Sequence, residues 1–182
     1  MVLVFAESHN GGFKKNAYEA VTYGRHIANS MGTSCAALTI GSAENASALG
    51  TYGATNVYNV VAGAFDSQVY AAIIADAAKQ LGATVVIVNH SAMGKAVVGR
   101  IAVRLNAGCV TGVNALPTIE AGSFRIKKNV VSGKAIAEYE VKSVVKVLSL
   151  MGNSLPPSAT GSAVSVETLA ITVPAGRVTV KD

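Results

Sequence analysis

The sequence predicts a doubly wound α/β fold: a mostly parallel, Rossmann-like sheet with helices on both faces and an antiparallel strand extension. Three observations predict it. Short runs such as "TVVIVN" (84–89) are apolar throughout, as strands covered on both faces are. Between the runs, apolar residues recur at i, i+3, i+4, i+7. Three phrases of one form join the two patterns: "MGTSCAAL" from Met31, "YGATNVYNV" from Tyr52 and "LGATVVIVN" from Leu81. Each reads as a helix stopping at a left-handed glycine that feeds straight into a strand.

The elements follow in order. Val2–Ala6 is a first strand, since "MVLVFAESHN" lacks the basic start and cleavage-like site of a secretory leader. Ala17, Ala20, Val21, Gly24, Ile27, Ala28 and Met31 make one apolar helix face. Strands follow at Ser34–Ile40 and Asn56–Val61. Val69, Ala72, Ile73 and Ala77 mark a second helix, and Thr84–Asn89 the next strand. Val98, Ile101, Ala102 and Leu105 mark a third helix, followed by a strand at Cys109–Val113. After Pro117 the texture changes: "SFRIKKNVV", "KAIAEYEV" and "SVVKVLSL" read as short strands separated by tight turns at Ser132-Gly133 and Lys142-Ser143. The pattern divides the chain into an α/β domain over 1–152 and a tail over 153–182. The tail begins as a Pro/Gly/Ser linker and is expected to end in a short hairpin over Pro174–Gly176.

Composition excludes several classes. Hydrophobic residues are 51% and charged residues 14% of the 182, which describes a packed core and not a disordered chain. No apolar run approaches the roughly 20 residues of a membrane span. Cys35 and Cys109 lie far apart in apolar runs, without metal or redox spacing, and are expected to be reduced core residues of a cytoplasmic protein. Net charge is +5, and six of the fifteen basic residues fall between Arg125 and Lys146. That local excess suits an acidic protein partner. Few aromatics are interleaved with it, so nucleic acid is not expected.

The segment "VVIVNHSAMGKAVVGRIAVRL" (85–105) runs from strand to helix through a Gly-Lys corner. A phosphate-binding P-loop needs Gly-x4-Gly-Lys-Ser/Thr. Here Asn89 stands in the place of the first glycine and Ala96 in the place of the hydroxyl, so the P-loop reading fails. A weaker site survives: a helix N-terminus at the carboxyl end of a strand favours anions. Glu7, Ser8, Ser91, Gly94 and Lys95 would line such a nucleotide pocket, with Arg100 as a further charge. His9 and His90 each follow a strand expected at the sheet's centre. With Glu7 they could form an acid/base or metal cluster, but no third ligand is fixed. No Gly-x-Ser-x-Gly nucleophile motif occurs.

With these residues on the page, the chain resembles the N-terminal domain of the electron transfer flavoprotein alpha subunit. "NHSAMGKAVVGRIAVRL", with Gly94, Lys95, Arg100 and Arg104, is similar to that family's turn and basic helix. "QVYAAIIADAAKQLGATVVIV" is similar to the helix and strand before it. "VVSGKAIAEYEVKSVVKVLSLMGNSLPPS" is similar to its strand pair and exit segment. The similarity runs in order from about Val2 to Pro156. Gly99, Lys134 and Met151 depart from residues common in the family (proline, asparagine and arginine).

The resemblance implies a scaffold and subunit-interface role, with no redox chemistry in this chain. In the family FAD is held by a separate C-terminal domain whose glycine-rich and Ser-Arg motifs are absent here, so no FAD is expected in these residues. The expected partner is the beta subunit, and the intact heterodimer would take electrons from dehydrogenases. Arg100, Arg125, Lys127, Lys128 and Lys134 are the candidate partner-facing residues. The tail leaves two expectations: a shortened piece leading to the FAD domain, or a stand-alone homologue. Two rival functions are an adenine-nucleotide-binding module, since the family's first domain resembles the adenine nucleotide α-hydrolase type of sheet, and a small hydrolase using His9 and His90.

Overall fold

The computed structural model describes residues 1–178. Strands β1 (Val2–Phe5), β2 (Ser8–His9) and β3 (Gly12–Phe13) precede helix α1 (Lys15–Ser30). Then come β4 (Cys35–Ile40), a 3₁₀ helix (Ala46–Tyr52), β5 (Asn56–Val60), α2 (Ser67–Gln80), β6 (Val85–Asn89) and α3 (Ala92–Leu105). The second half holds β7 (Gly108–Val113), β8 (Thr118–Glu120), β9 (Ser123–Val130), β10 (Ala135–Glu140), β11 (Lys146–Leu150) and β12 (Val166–Thr168).

Seven strands form one sheet in the order β12-β5-β4-β1-β6-β11-β7, and every neighbouring pair is parallel. The predicted α/β fold is therefore present, and the five predicted core strands agree to within one residue at each end. All three glycines of the repeated phrase have positive φ: Gly32, Gly53 and Gly82. At Gly53 the chain leaves a 3₁₀ helix rather than the α-helix the phrase implied.

Two cores sandwich the sheet. Alternate strand residues such as Val4, Ala37, Val85 and Ile87 pack against α1 (Tyr23, Ile27) and the 3₁₀ helix (Leu49). The others, including Leu3, Phe5, Leu38 and Val86, pack against α2 and α3 through Ile73, Ile74, Val97 and Ile101. Helix α1 sits unusually close: a Cβ on Gly24 would come within 2.5 Å of a Val4 methyl.

The antiparallel extension exists as a three-stranded sheet, β10-β9-β8. It packs Phe124, Ile126 and Val141 onto the α1 face. The Ser132-Gly133 turn joins β9 to β10 as expected. The turn at Lys142-Ser143 does not start a third antiparallel strand. Instead β11 returns to the main sheet between β6 and β7. The physical reason is burial: Val147, Leu148, Ser149 and Leu150 are all buried, and only an interior strand covers both faces.

The tail also departs from expectation. Residues 166–168 pair parallel with β5 and extend the sheet. The expected hairpin over Pro174–Gly176 has no strand up to residue 178, and its second arm, 179–182, lies outside the described residues. The segment before β12 is pinned rather than loose. Glu19, which is buried, accepts the Asn153 and Leu155 amides at 3.1 and 2.9 Å. The Thr22 hydroxyl accepts Ser158 N–H at 3.1 Å, and Arg25 donates to Ser158 O at 3.4 Å and to the Thr160 hydroxyl. Glu19, Thr22 and Arg25 stand three apart, one stripe on one helix face.

Candidate functional site

Because the sheet is parallel, its carboxyl ends share one rim. β1 leads into Glu7, β6 into His90 and Ser91, β11 into Met151 and Gly152, and β7 into Asn114. A crevice at such a rim is where open α/β sheets hold ligands.

The Gly-Lys corner is built for close approach. Ser91 is the N-cap of α3, its hydroxyl accepting Gly94 N–H at 3.0 Å and donating to the Glu7 carboxylate. A Cβ on Gly94 would fall 1.7 Å from the Asn89 carbonyl oxygen, so only glycine fits here. Glu7, Ser91 and Gly94 are thus brought together. Ser8 pairs with Phe13 in the β2-β3 hairpin. Lys95 is exposed, and its charge reaches His90.

The two histidines have different settings. His9 is exposed and pairs with Gly12. His90 Nδ1 lies 2.8 Å from the hydroxyl of Ser149, a fully buried residue. That hydroxyl also accepts Gly112 N–H at 3.0 Å, so one buried oxygen ties the imidazole to the β7 backbone. Burial, then the charges of Lys95 and Lys128, hold the imidazole below the ordinary histidine range and favour its neutral form. Ser149 positions His90; it is too deeply buried to meet a substrate. No group of three or more potential metal ligands occurs among the described residues.

Beside His90 opens a cleft of about 620 Å³, lined by Thr111, Gly112, Asn114, Lys128 and Gly152 among others. Lys128 donates to Thr111 O there. A Cβ on Gly112 would lie 3.5 Å from His90 Nε2 and 3.7 Å from Lys128 Nζ, so both nitrogens overlook one spot.

The candidate partner-facing residues do not form one patch. Arg125 and Lys127 are exposed on β9 and stand directly across from Glu140 and Glu138 of β10. Lys128 faces the cleft and Lys134 is exposed just past the hairpin turn. Arg100 is exposed on α3, whose core lies on the opposite side of the main sheet. Cys35 is buried, as expected, and burial pushes its thiol up to about 12. Cys109 is exposed, against expectation, because β7 is the outermost strand of the sheet.

Sequence reasoning passed over Asn89, Ser149 and Glu19. The first two carried a signal, a polar residue within or ending an apolar strand ("VVIVN", "KVLSL"). Glu19 carried none, since its partners are backbone amides some 134 residues away.

Fold and rim together define a Rossmann-like α/β protein with a polar crevice at the carboxyl ends of its strands. The electron transfer flavoprotein domain matches it over residues 2–175. The chain belongs to the electron transfer flavoprotein domain family. Comparison with curated proteins found no match.

Proposed function

We propose that this chain is the N-terminal scaffold and subunit-interface domain of an electron transfer flavoprotein alpha-type subunit. FAD belongs to a separate C-terminal domain, the partner is a beta-type subunit, and dehydrogenases deliver electrons to the intact cytoplasmic complex. The observation that carries the reading is the family match over residues 2–175. The alpha-type part rests on the similarity of residues 85–105 and 130–158 to that subunit. The exit segment clamped along α1 supports a domain that directs its chain toward a neighbour. The antiparallel sheet offers its outward face to that neighbour, with Ile136 of β10 at 71% exposure.

Expressed alone, the chain purifies colourless; expressed with a beta-type subunit, it copurifies with it. Stoichiometric flavin absorbance in the isolated chain would refute the assignment of FAD to another domain.

A second reading draws on the Glu7–Ser91–Gly94 cluster under the α3 N-terminus, which suits an adenine nucleotide. Calorimetry with AMP tests it, and absence of heat at millimolar nucleotide removes it.

A further inference from the structure

One carboxylate ties two distant parts of the chain together. Asp66, only 6% exposed, is the N-cap of α2, its Oδ1 accepting the Gln68 and Val69 amides at 2.8 and 3.3 Å. Its Oδ2 accepts the Arg177 amide at 3.0 Å, from 111 residues further along. These amides, Gln68 and Arg177 first, hold the carboxyl below the ordinary carboxylate range, against an opposing effect of burial. The acceptor is therefore ionised at neutral pH, and a hydrogen bond to an ionised group is roughly twice as strong as a neutral one.

The tail is held very differently before and after Leu169. Up to that residue it is anchored many times over. The Thr160 and Gly161 amides donate to Thr51 O at 3.0 and 2.9 Å, Val164 N–H to Ser47 O at 3.1 Å, and Leu169 N–H to Asn59 O at 2.9 Å. A Cβ on Gly161 would fall 2.6 Å from Gly50 O, so tail and 3₁₀ helix meet backbone to backbone. Leu169 itself is buried in the core on the α2 side. Beyond it the anchoring stops. Residues 170–176 make no hydrogen bond among the described residues, and 172–178 are all exposed. Ile171 is half-buried against the core. Between this stretch and α2 lies a cavity of about 480 Å³, walled by Phe65, Asp66 and Val69 on one element and by Val173, Pro174 and Val178 on the other. Close-packed interiors leave few voids larger than a water molecule, so a span with such a space behind it is not seated by packing.

We propose that residues 170–177 are a strap, hinged at Leu169 and latched by the Asp66 carboxylate, that opens and closes beside the start of α2 while the rest of the fold stays intact. Closed, it sets Val173 and Pro174 opposite Phe65 and Val69 across the cavity. Open, it leaves Phe65, already 36% exposed, and Val69 facing solvent. Segments with few buried apolar contacts and an exposed backbone are the ones that open locally. The α2 cap survives the opening, because Oδ1 serves the helix and Oδ2 the strap. The strap does not depend on the subunit assignment above.

The test is hydrogen exchange, followed by NMR on the full chain at neutral pH. The Arg177 amide is expected to exchange about tenfold or more slower than an unstructured amide, the factor one charge-assisted hydrogen bond supplies, and faster than the Leu169 amide. Asp66→Ser separates latch from cap: serine caps a helix as aspartate does, but its single oxygen is too short to serve the strap as well. In that variant the Arg177 amide loses its protection and trypsin cuts after Arg177 roughly tenfold faster, while the Leu169 and Tyr70 amides keep theirs. Asp76→Asn, further along α2, leaves both readouts unchanged. An Arg177 amide that exchanges freely in the unsubstituted protein overturns the proposal, whatever the variants do. So does an Arg177 amide still protected in Asp66→Ser, since something else then holds the strap. Loss of protection at Leu169 together with Arg177 also overturns it, because the opening is then a wider unfolding.

Discussion

At the scale of single residues, the Gly-Lys corner separates shape from charge. Gly94 is fixed by a backbone carbonyl 1.7 Å from where its Cβ would stand. Gly94→Ala is expected to cost about 3 kcal/mol or more, at the top of the overpacking range, read as a lowered urea midpoint. Lys95 touches nothing that demands it. His90 makes a pH prediction. Its folded pKa is held below the ordinary 6.5, so the native state gives up the proton more readily than the unfolded chain. The stability it contributes is full above 6.5 and falls as pH drops through that value. An NMR titration should place the His90 midpoint below 6.5, and His90→Gln should remove that part of the acid slope. The cysteines give a simpler check: one thiol per native chain, Cys109, reacts with an aromatic disulfide reagent, and Cys35 joins it only in denaturant.

At the scale of elements, the exit segment and the β9–β10 hairpin behave differently. Glu19 holds two backbone amides of the exit segment. Glu19→Ala leaves both without their acceptor at a cost of about 1–3 kcal/mol. Hydrogen exchange at Asn153 and Leu155 should then accelerate, while β6 amides stay protected. The hairpin turn carries Val131 at φ +51, a conformation a β-branched side chain rarely adopts, with 69% of its surface in solvent. Val131→Gly relieves that strain and should raise stability by about 1 kcal/mol in thermal melts. A value lowered by the substitution would show that the Val131 side chain makes a contact worth more than its backbone cost.

At the scale of the whole molecule, burial decides which strands go where. The repeated Gly-x-Ser/Thr phrases and unbroken apolar runs made the parallel sheet legible, because a helix stop and a doubly covered strand are local chemistry. Strand β11 was misplaced because "SVVKVLSL" follows an antiparallel pair, and adjacency in sequence favours pairing with the preceding strand. Its continuous burial was nevertheless written in the residues: compare "KVLSL" with the alternation of "SFRIKKNV". The basic stretch read from 125 to 146 is partly offset in space, since the register sets Arg125 against Glu140 and Lys127 against Glu138. Counting charge along a strand cannot show what stands across from it.

The sequence by itself determined the layered α/β fold, the corner at Gly94 and the family resemblance, since each depends on residues near one another along the chain. Tertiary structure alone decided that Ser149 orients His90, that Glu19 grips the exit segment, and that Asp66 holds the Arg177 amide. Those pairs are separated by 59 or more residues, and no local pattern records which strand end a folded sheet brings beside which helix start.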